Sequence, residues 1–441
     1  MDIHDTSSPV VTLISGGRQG PLGLVRSLGR AGVHVYSIDS RASSPSFFSR
    51  YCEGRFRWDI SKHSAAETLT FLQRVARRTG ARPILIPTND QTAIFVADNS
   101  DRLQNHFLIP KQSPSLVHAL ADKKSMYFLA KEHKIPTPQT VFPSCKADVM
   151  EFLEQAAFPI MLKGIDGFRL WKRTGKKMFI VSSERELLST YHAAEDPECP
   201  NLMIQEYIPG GDDTVWMFNG YFNCHSECLI GVTGKKIRQS PIHTGCTSLG
   251  ICLPNEDVEK TTKLFMKNVG YRGILDIGYR YDARDGLFKV LDINPRIGET
   301  FRLFTTTNGM DVARALYLDL TGQAVPSGTI VPGRKWLVED IDLISSYRYY
   351  QERELNVKEW FRSLSGIEET AYFAKDDLLP ALEVSVIRLA ELFGRIAGRL
   401  LNFARDLAVQ FFRTERQPLM GYDAADRSPS PRDRSAAPVN R

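Results

Sequence analysis

Two strand-like segments, residues 272–281 and 287–293, are joined by the turn-rich run Asp282-Ala283-Arg284-Asp285-Gly286, and this hairpin constrains the chain more than any other stretch. Strand side chains alternate between faces, so Asp292 and Asn294 share one face. A five-residue loop sets Asp276 directly opposite Asp292 and leaves Leu275, Ile277 and Tyr279 on the other, buried face. Two carboxylates and an amide oxygen then converge, with the guanidinium of Arg296 at their edge. Such oxygen donors suit Mg²⁺, which keeps part of its water shell and bridges substrate phosphates. The arginine suits a phosphate or carboxylate that must be held in one orientation. The plainer alternative is a solvated strand edge followed by an Asn-Pro turn.

At 441 residues the chain exceeds one ordinary domain and suggests about two to four. With 42% hydrophobic and 24% charged residues it has the composition of a soluble globular protein. A net charge of +5 is small for this length, and no basic stripe is interleaved with aromatics, which argues against a nucleic-acid partner. Residues 1–8 are polar and lack an apolar signal core, and no apolar run approaches the roughly 20 residues that span a bilayer. The seven cysteines are scattered, and Cys224-His225-Ser226-Glu227-Cys228 has no second ligand pair at zinc spacing. Free thiols in a reducing cytoplasm are the expectation.

Residues 10–15 read as a strand, followed by Gly16-Gly17-Arg18-Gln19-Gly20-Pro21-Leu22-Gly23, a helix to about residue 30, and a strand at 33–38 ending at Asp39. Gly17, Gly20 and Gly23 are spaced by threes, so the strict Gly-x-Gly-x-x-Gly of a dinucleotide site is absent. A Rossmann-like domain whose glycines permit a tight turn is the stronger reading, and Asp39 on a ribose the weaker. Thr88, Asn89 and Asp90 follow a parallel-type strand, where ligands of open α/β sheets gather, and helix capping explains them equally well. A helix over 114–133 carries Lys123, and a strand over 158–164 ends in Lys163-Gly164. Residues 164–175 read as a loop with three spaced glycines and the basic Arg169, Lys172 and Arg173. Strand 202–208 breaks at Pro209-Gly210-Gly211, and three short strands are predicted at 214–219, 221–230 and 232–238.

The ordered set of Lys123, Lys163-Gly164, Gln205-Glu206-Tyr207-Ile208-Pro209-Gly210-Gly211, the acidic hairpin and Asn294-Pro295-Arg296 resembles the ATP-grasp superfamily over about residues 10–325. Within it, the likeness is to predicted ATP-grasp carboligases and D-aspartate ligase-like carboxylate-amine ligases. The resemblance implies an α/β chain with a Rossmann-like pre-ATP-grasp domain at 1–115 and a two-lobed α+β ATP-grasp module at 116–325. The small lobe covers about 116–207 and the large lobe about 208–325. A helical C-terminal extension at 326–422 and a disordered tail at 423–441 follow.

In that family frame Lys123 and Lys163 hold ATP phosphates as point charges, and Glu206 with the backbone of Tyr207 and Ile208 meets the adenine edge. Asp213 contacts the ribose; Asp276, Asp292 and Asn294 ligate Mg²⁺, with Mn²⁺ as the alternative ion. Arg296 neutralises the transferred phosphoryl group or the acyl phosphate, and Arg238 lies over the reacting groups. The implied activity phosphorylates a small-molecule carboxylate and lets an amine attack the acyl phosphate, giving an amide, ADP and phosphate. Positioning and charge neutralisation supply most of such catalysis, and no Gly-x-Ser-x-Gly elbow is present or needed. The Rossmann-like domain and residues 238–245 are expected to shape the acceptor pocket, with His243 either lining it or an incidental loop histidine. The competing readings are a bicarbonate or thiol acceptor, and a non-catalytic nucleotide-binding scaffold.

After Pro326 the periodicity changes. Residues 336–342 are strand-like, and a long helix is predicted over 377–413. Leu382, Val386, Leu389, Phe393, Ile396, Leu400, Phe403 and Leu407 alternate steps of four and three, with Arg388, Arg395, Arg399 and Arg405 off that stripe. Three readings stay open: packing on its own domain, a homodimer, or contact with an anionic membrane surface. The location is correspondingly cytoplasmic, or peripheral to the inner face of the membrane. The tail is rich in Ser, Pro, Ala, Arg and Asp, which supports no packed core.

Overall fold

The βαβ pattern at the start of the chain builds a four-stranded parallel sheet from β1 (Val10–Leu13), β2 (Val35–Asp39), β3 (Cys52–Arg57) and β4 (Ile84–Pro87), in the order β3-β2-β1-β4. β1 is buried at every position because it lies inside the sheet with both faces covered. Edge strand β3 alternates less and more exposed residues. Beyond β4, Leu108 adds an isolated parallel bridge to Ile84. The computed structural model describes residues 3–80, 82–391 and 393–394. The chain divides into two compact units, Met1–Val384 and Ser385–Arg441.

A second sheet is antiparallel: β5 (Thr140–Val141), β6 (Ile160–Gly164), β7 (Met178–Val181) and β8 (Leu202–Glu206), in the order β5-β8-β6-β7. The helix expected over 114–133 is two helices, Pro114–Ala121 and Lys123–Glu132. Asp122 leaves helical geometry between them, and its side chain accepts from the Ser125 amide. Lys123 is therefore the first residue of a helix rather than a point on a helix surface. The loop expected at 164–175 is also wrong: Gly167–Thr174 is a helix. Asp166 caps it through the amides of Phe168 and Arg169, and Gly175 ends it in the left-handed conformation (φ 74°).

The third sheet comprises β9 (Val215–Phe222), β10 (Cys228–Ser240), β11 (Cys246–Cys252), β12 (Gly273–Asp282), β13 (Leu287–Asn294), β14 (Lys335–Leu337) and β15 (Ile367–Thr370). Its order is β13-β12-β9-β10-β11-β14-β15. Two long strands replace the three short ones expected at 214–238, because Asn219 and Gly220 continue β9 instead of breaking it. Phe218, Phe222, Leu275, Ile277 and Tyr279 bury one face of the sheet against Phe265 and Met266 of helix Glu256–Asn268 and Met126 and Ala130 of helix Lys123–Glu132. Met217, Tyr221, Val232 and Ile274 join Leu22, Val25 and Leu28 of the first domain in another apolar core. At about 1.5–3 kcal/mol per fully buried large aliphatic or aromatic side chain, that shared core fixes the first sheet against the third.

Residues 336–342, expected as a strand, split between β14 and helix Glu339–Gln351. Residues 379–391 are helical, and Leu382, Val386, Leu389 and Phe393 are exposed. Ile396, Leu400, Phe403, Leu407, Arg395, Arg399, Arg405 and the 423–441 tail lie outside the described residues. Among the described residues no helix is long and apolar enough to cross a membrane.

Candidate active site

The β12–β13 hairpin brings the three expected oxygen donors together, in a register that differs from the expected one. Asp276 pairs with Asn294, and Asp292 pairs with Gly278. The connection is one residue shorter than five, since Asp282 pairs with Leu287, and a bulge between Gly278 and Tyr279 leaves Leu291 without a ladder partner. Two shifts of one residue preserve parity, so Asp276, Asp292 and Asn294 remain on one face. Asn294 Nδ2 lies 3.3 Å from Asp292 Oδ2 and 3.5 Å from Asp276 Oδ2. Glycines make room for both carboxylates: a Cβ at Gly278 would come within 2.5 Å of Asp292 Oδ1, and one at Gly298 within 2.6 Å of the Asp276 carboxylate.

This end of the hairpin is held in a charge state that wants a cation. Burial pushes the Asp276 pKa up to about 6; Arg296 and Lys236 pull it down, and Asp292 adds to the rise. Arg296 gives its Nε to Asp90 (2.9 Å) and an Nη to Asn294 Oδ1 (2.9 Å) rather than closing an ion pair with either aspartate. Asn219, opposite Asp276 on β9, is completely buried; its amide makes no hydrogen bond of ordinary geometry, yet it stands close enough to Asp276 to help lower that carboxyl's pKa. Two carboxylates without an ion pair, beside an asparagine whose amide can present its oxygen, fit Mg²⁺ or Mn²⁺. Asn219 was missed in the sequence because Phe-Asn-Gly reads as a turn.

The second half of the site is cationic. Lys163, at the end of β6, donates to Gln205 Oε1 (2.8 Å), and Lys123 donates to the Gly164 carbonyl (2.9 Å). Burial first, then the neighbouring Lys123 and Arg280, lower the Lys163 pKa to about 8 against the opposing pull of Asp292. Lys123 is lowered chiefly by burial as well, with Asp292 the first charge opposing that. Glu206, at the end of β8, accepts from the Gln139 amide (2.9 Å), Arg284 (2.6 Å) and Lys289 (3.1 Å). Its carboxylate is thus committed to the protein, while Ile208 is buried and Tyr207 lies under Arg280, 5.7 Å from guanidinium carbon to ring centre. Asp213 is exposed in the short 3₁₀ turn Asp212–Thr214. On the helix over 167–174, Arg169 is spent on Asp196 and the Cys199 carbonyl.

Arg238 requires correction. It is almost fully buried, donates to both oxygens of Asp342 (2.9 and 2.7 Å) and to Ser363 (2.6 Å), and anchors helix Glu339–Gln351 to β10. A buried bidentate pair leaves no donor over the reacting groups. The cation of that strand that acts on Asp276 is Lys236, whose Nζ also meets Gln239 Oε1 (3.1 Å) and the Gly245 carbonyl (2.8 Å). His243 faces Glu352 (3.1 Å) and Asp212 (3.6 Å).

The first domain meets the site through the carboxyl ends of β1 and β4. Asp90 reaches Arg296, whereas Thr88 bonds the Leu13 carbonyl and Asn89 caps helix Asp90–Asp98 and bonds the Ser15 carbonyl. Glu299 sets a carboxylate oxygen against the amides of Gln19 and Gly20, both at 2.8 Å, at the start of helix Gln19–Gly29. A Cβ on Gly17, Gly20 or Gly23 would run into Glu299, Gly298 or Arg302. The glycine spacing therefore accommodates residues 298–302, and the helix terminus already holds an anion. Asp39 is bound by Arg41, not presented to a ribose.

Fold and site together agree with the resemblance to ATP-grasp proteins read from the sequence. The chain is 28% identical over 243 residues to the D-aspartate ligase of Enterococcus faecium, covering 52% of this chain and 57% of the relative. It is 23% identical over 261 residues to the C-terminal section of the carbamoyl phosphate synthase large chain of Methanocaldococcus jannaschii, covering 56% of this chain and 39% of the relative. The chain thus spans less than two thirds of the length of either relative. Among solved structures, the Staphylococcus aureus N5-carboxyaminoimidazole synthetase complexed with ADP superposes with a TM-score of 0.58 at 14% identity, over 80% of this chain and 88% of that one. No family model matches the chain.

Proposed function

We propose that this protein is an ATP- and Mg²⁺-dependent ligase that activates a small-molecule carboxylate as an acyl phosphate and couples it to an amine. The observation that carries this reading is charge without an ion pair on two sets of side chains: Asp276 and Asp292, beside Asn294 on the hairpin, and Lys123 and Lys163, both of which feel Asp292. In this reading the first three hold Mg²⁺, which neutralises phosphate charge when bound. The two lysines hold the ATP phosphates, the backbone of Glu206, Tyr207 and Ile208 presents the adenine edge, and Asp213 contacts the ribose. Glu206 acts by orienting that segment, since its carboxylate is already bound by Arg284 and Lys289. Arg296 orients the carboxylate as its oxygen attacks the γ-phosphorus; ADP leaves, the amine nitrogen attacks the acyl carbon, phosphate departs, and the nitrogen gives up a proton. The D-aspartate ligase relative favours an amino compound over bicarbonate as the acceptor.

We read residues 1–115 as the pre-ATP-grasp domain, 116–325 as the two-lobed module and 326–422 as the extension, with a cytoplasmic location supported by seven free cysteines. The exposed stripe Leu382, Val386, Leu389 and Phe393 supports a partner surface on the 377–413 segment, and a homodimer is the reading we favour over a membrane contact. The ligase reading is tested by measuring ADP release from Mg-ATP against paired carboxylates and amino acids. Release that needs both partners is expected. Absence of Mg²⁺-dependent ATP binding by calorimetry would overturn it.

A further inference from the structure

A second group of metal-ligating side chains sits on other elements than the nucleotide site. His243 lies between β10 and β11, and Glu352 and Glu354 follow the end of helix Glu339–Gln351. His243 Nε2 is 3.1 Å from Glu352 Oε2 and 3.7 Å from Glu354 Oε2, and one donor atom from each residue lies within 4.8 Å of the others.

Two independent observations distinguish this group from an ordinary surface cluster. The other ring nitrogen of His243, Nδ1, faces Asp212 at 3.6 Å. Asp212 is itself fixed by Gln239 Nε2 (2.9 Å) and by the hydroxyl of the buried Tyr349. A carboxylate behind the imidazole is the outer shell that orients a metal-bound histidine. The second observation is charge. Asp212, Glu352 and Glu354 bring three carboxylates to one imidazole, and none of them makes an ion pair with a lysine or arginine among the described residues.

We propose that His243, Glu352 and Glu354 bind a divalent cation, with Asp212 orienting the imidazole. One imidazole nitrogen and two carboxylate oxygens, with room for water, suit zinc, which takes such donors at about 2.0–2.2 Å. The ion would clamp the 241–245 loop to the end of helix Glu339–Gln351. That helix is already bound to β10 by Arg238 and Asp342. The clamp would thus stiffen the β10–β11 hairpin that carries Lys236. This inference stands apart from the ligase reading, because none of its ligands belongs to the nucleotide site.

The test is equilibrium dialysis of the full chain against zinc chloride, with bound metal counted by mass spectrometry. Asp292→Asn serves as the parent, so that the nucleotide-site ligands are already weakened. One zinc per chain is expected in the parent, with on the order of tenfold weaker binding or more after adding His243→Ala or Glu352→Gln. Zinc should raise the melting temperature of the parent and leave that of either double variant unmoved. Should His243→Ala disturb folding, as shown by circular dichroism, Glu354→Gln carries the same prediction. Retention of the zinc in the His243→Ala and Glu352→Gln backgrounds would overturn the proposal. So would zinc that survives His243→Ala but is lost in Cys246→Ser, since it would then belong to an exposed thiol. Absence of ADP release would leave these outcomes unchanged, so the two readings fail separately.

Discussion

The two ends of the β12–β13 hairpin carry similar residues and opposite electrostatics. At the turn, buried Asp282 accepts from Arg284 Nε (2.8 Å) and Lys289 Nζ (2.7 Å), and the same cations reach Glu206. The Arg284 hydrogen bond holds the Asp282 carboxyl well below the usual carboxylate range, with Lys289 adding to it. At the other end Asp276 and Asp292 share one face, Arg296 is drawn off to Asp90, and Asp276 is pushed up to about 6. A finished ion-pair network stabilises a fold; like charges held together without a counter-ion do the reverse, and persist where a ligand supplies it. The difference separates structure from function within 20 residues.

The largest expected effect comes from the strained end. Asp292→Ala should cut ADP release on the order of a thousandfold, because a ligand of the charge-neutralising ion is gone. The same change removes a like charge from beside Asp276 and an attraction to Lys123 and Lys163, so the two effects oppose and the nucleotide-free protein should melt close to wild type. Equal turnover by the variant, or a sharp loss of stability with it, would make this end of the hairpin structural and dissolve the contrast.

The paired end should behave the other way. Asp282→Asn leaves Arg284 and Lys289 facing a neutral amide, at a cost of about 2–4 kcal/mol by denaturant unfolding. The pH sign follows from the lowered carboxyl. Its contribution is fully present above the ordinary carboxylate pKa of about 4 and drains away as the pH falls below that. Wild type should therefore lose stability more steeply on acidification than the variant. A variant as stable as wild type at pH 7 would show that the network contributes little.

A smaller effect tests the glycine beneath the carboxylate. Gly278→Ala places a methyl within 2.5 Å of Asp292 Oδ1, and Asp292 is free to swing aside because it is itself exposed. Folding should be unaffected, while the Mg²⁺ dependence of ATP binding weakens on the order of tenfold, or about 1.4 kcal/mol. Unchanged Mg²⁺ titration would place the ion away from Asp292.

These contrasts also show what a sequence discloses. That Asp276, Asp292 and Asn294 share a face follows from strand parity alone, which survived a loop shorter by one and a bulge at Leu291. Their pairing did not follow, since bulges leave no local signal as short as one leucine. Lys163-Gly164 closing a strand was legible because apolar residues run up to it. The fate of Arg238 was not, because its partner Asp342 lies 104 residues on, in a stretch that reads as a strand and folds as a helix. The helix at 167–174 was hidden by its glycines, although Asp166 as a cap and Gly175 as a stop are the expected terminators of a short helix.

The smallest expected effect is a proton. Burial and the adjacent Lys123 bring the Lys163 pKa to about 8 from an ordinary 10.5. A lysine depressed in the folded state penalises the nucleotide-free protein below pH 8, and the penalty is relieved as the pH rises from 8 towards 10.5. Bound phosphates supply the missing negative charge and restore the ammonium. ATP binding should therefore take up little proton at pH 7 and most of one by pH 9. Its affinity should be flat below pH 8 and then fall by at most about tenfold per pH unit. Calorimetry in two buffers of different ionisation enthalpy reads the uptake directly. Lys163→Met should abolish it, together with most of the affinity, while raising the melting temperature of the empty protein, because a desolvated cation has been removed. Affinity that stays level from pH 7 to 9.5 in wild type would mean that Lys163 does not face the phosphates, and that the cationic half of the site is as structural as the turn end of the hairpin.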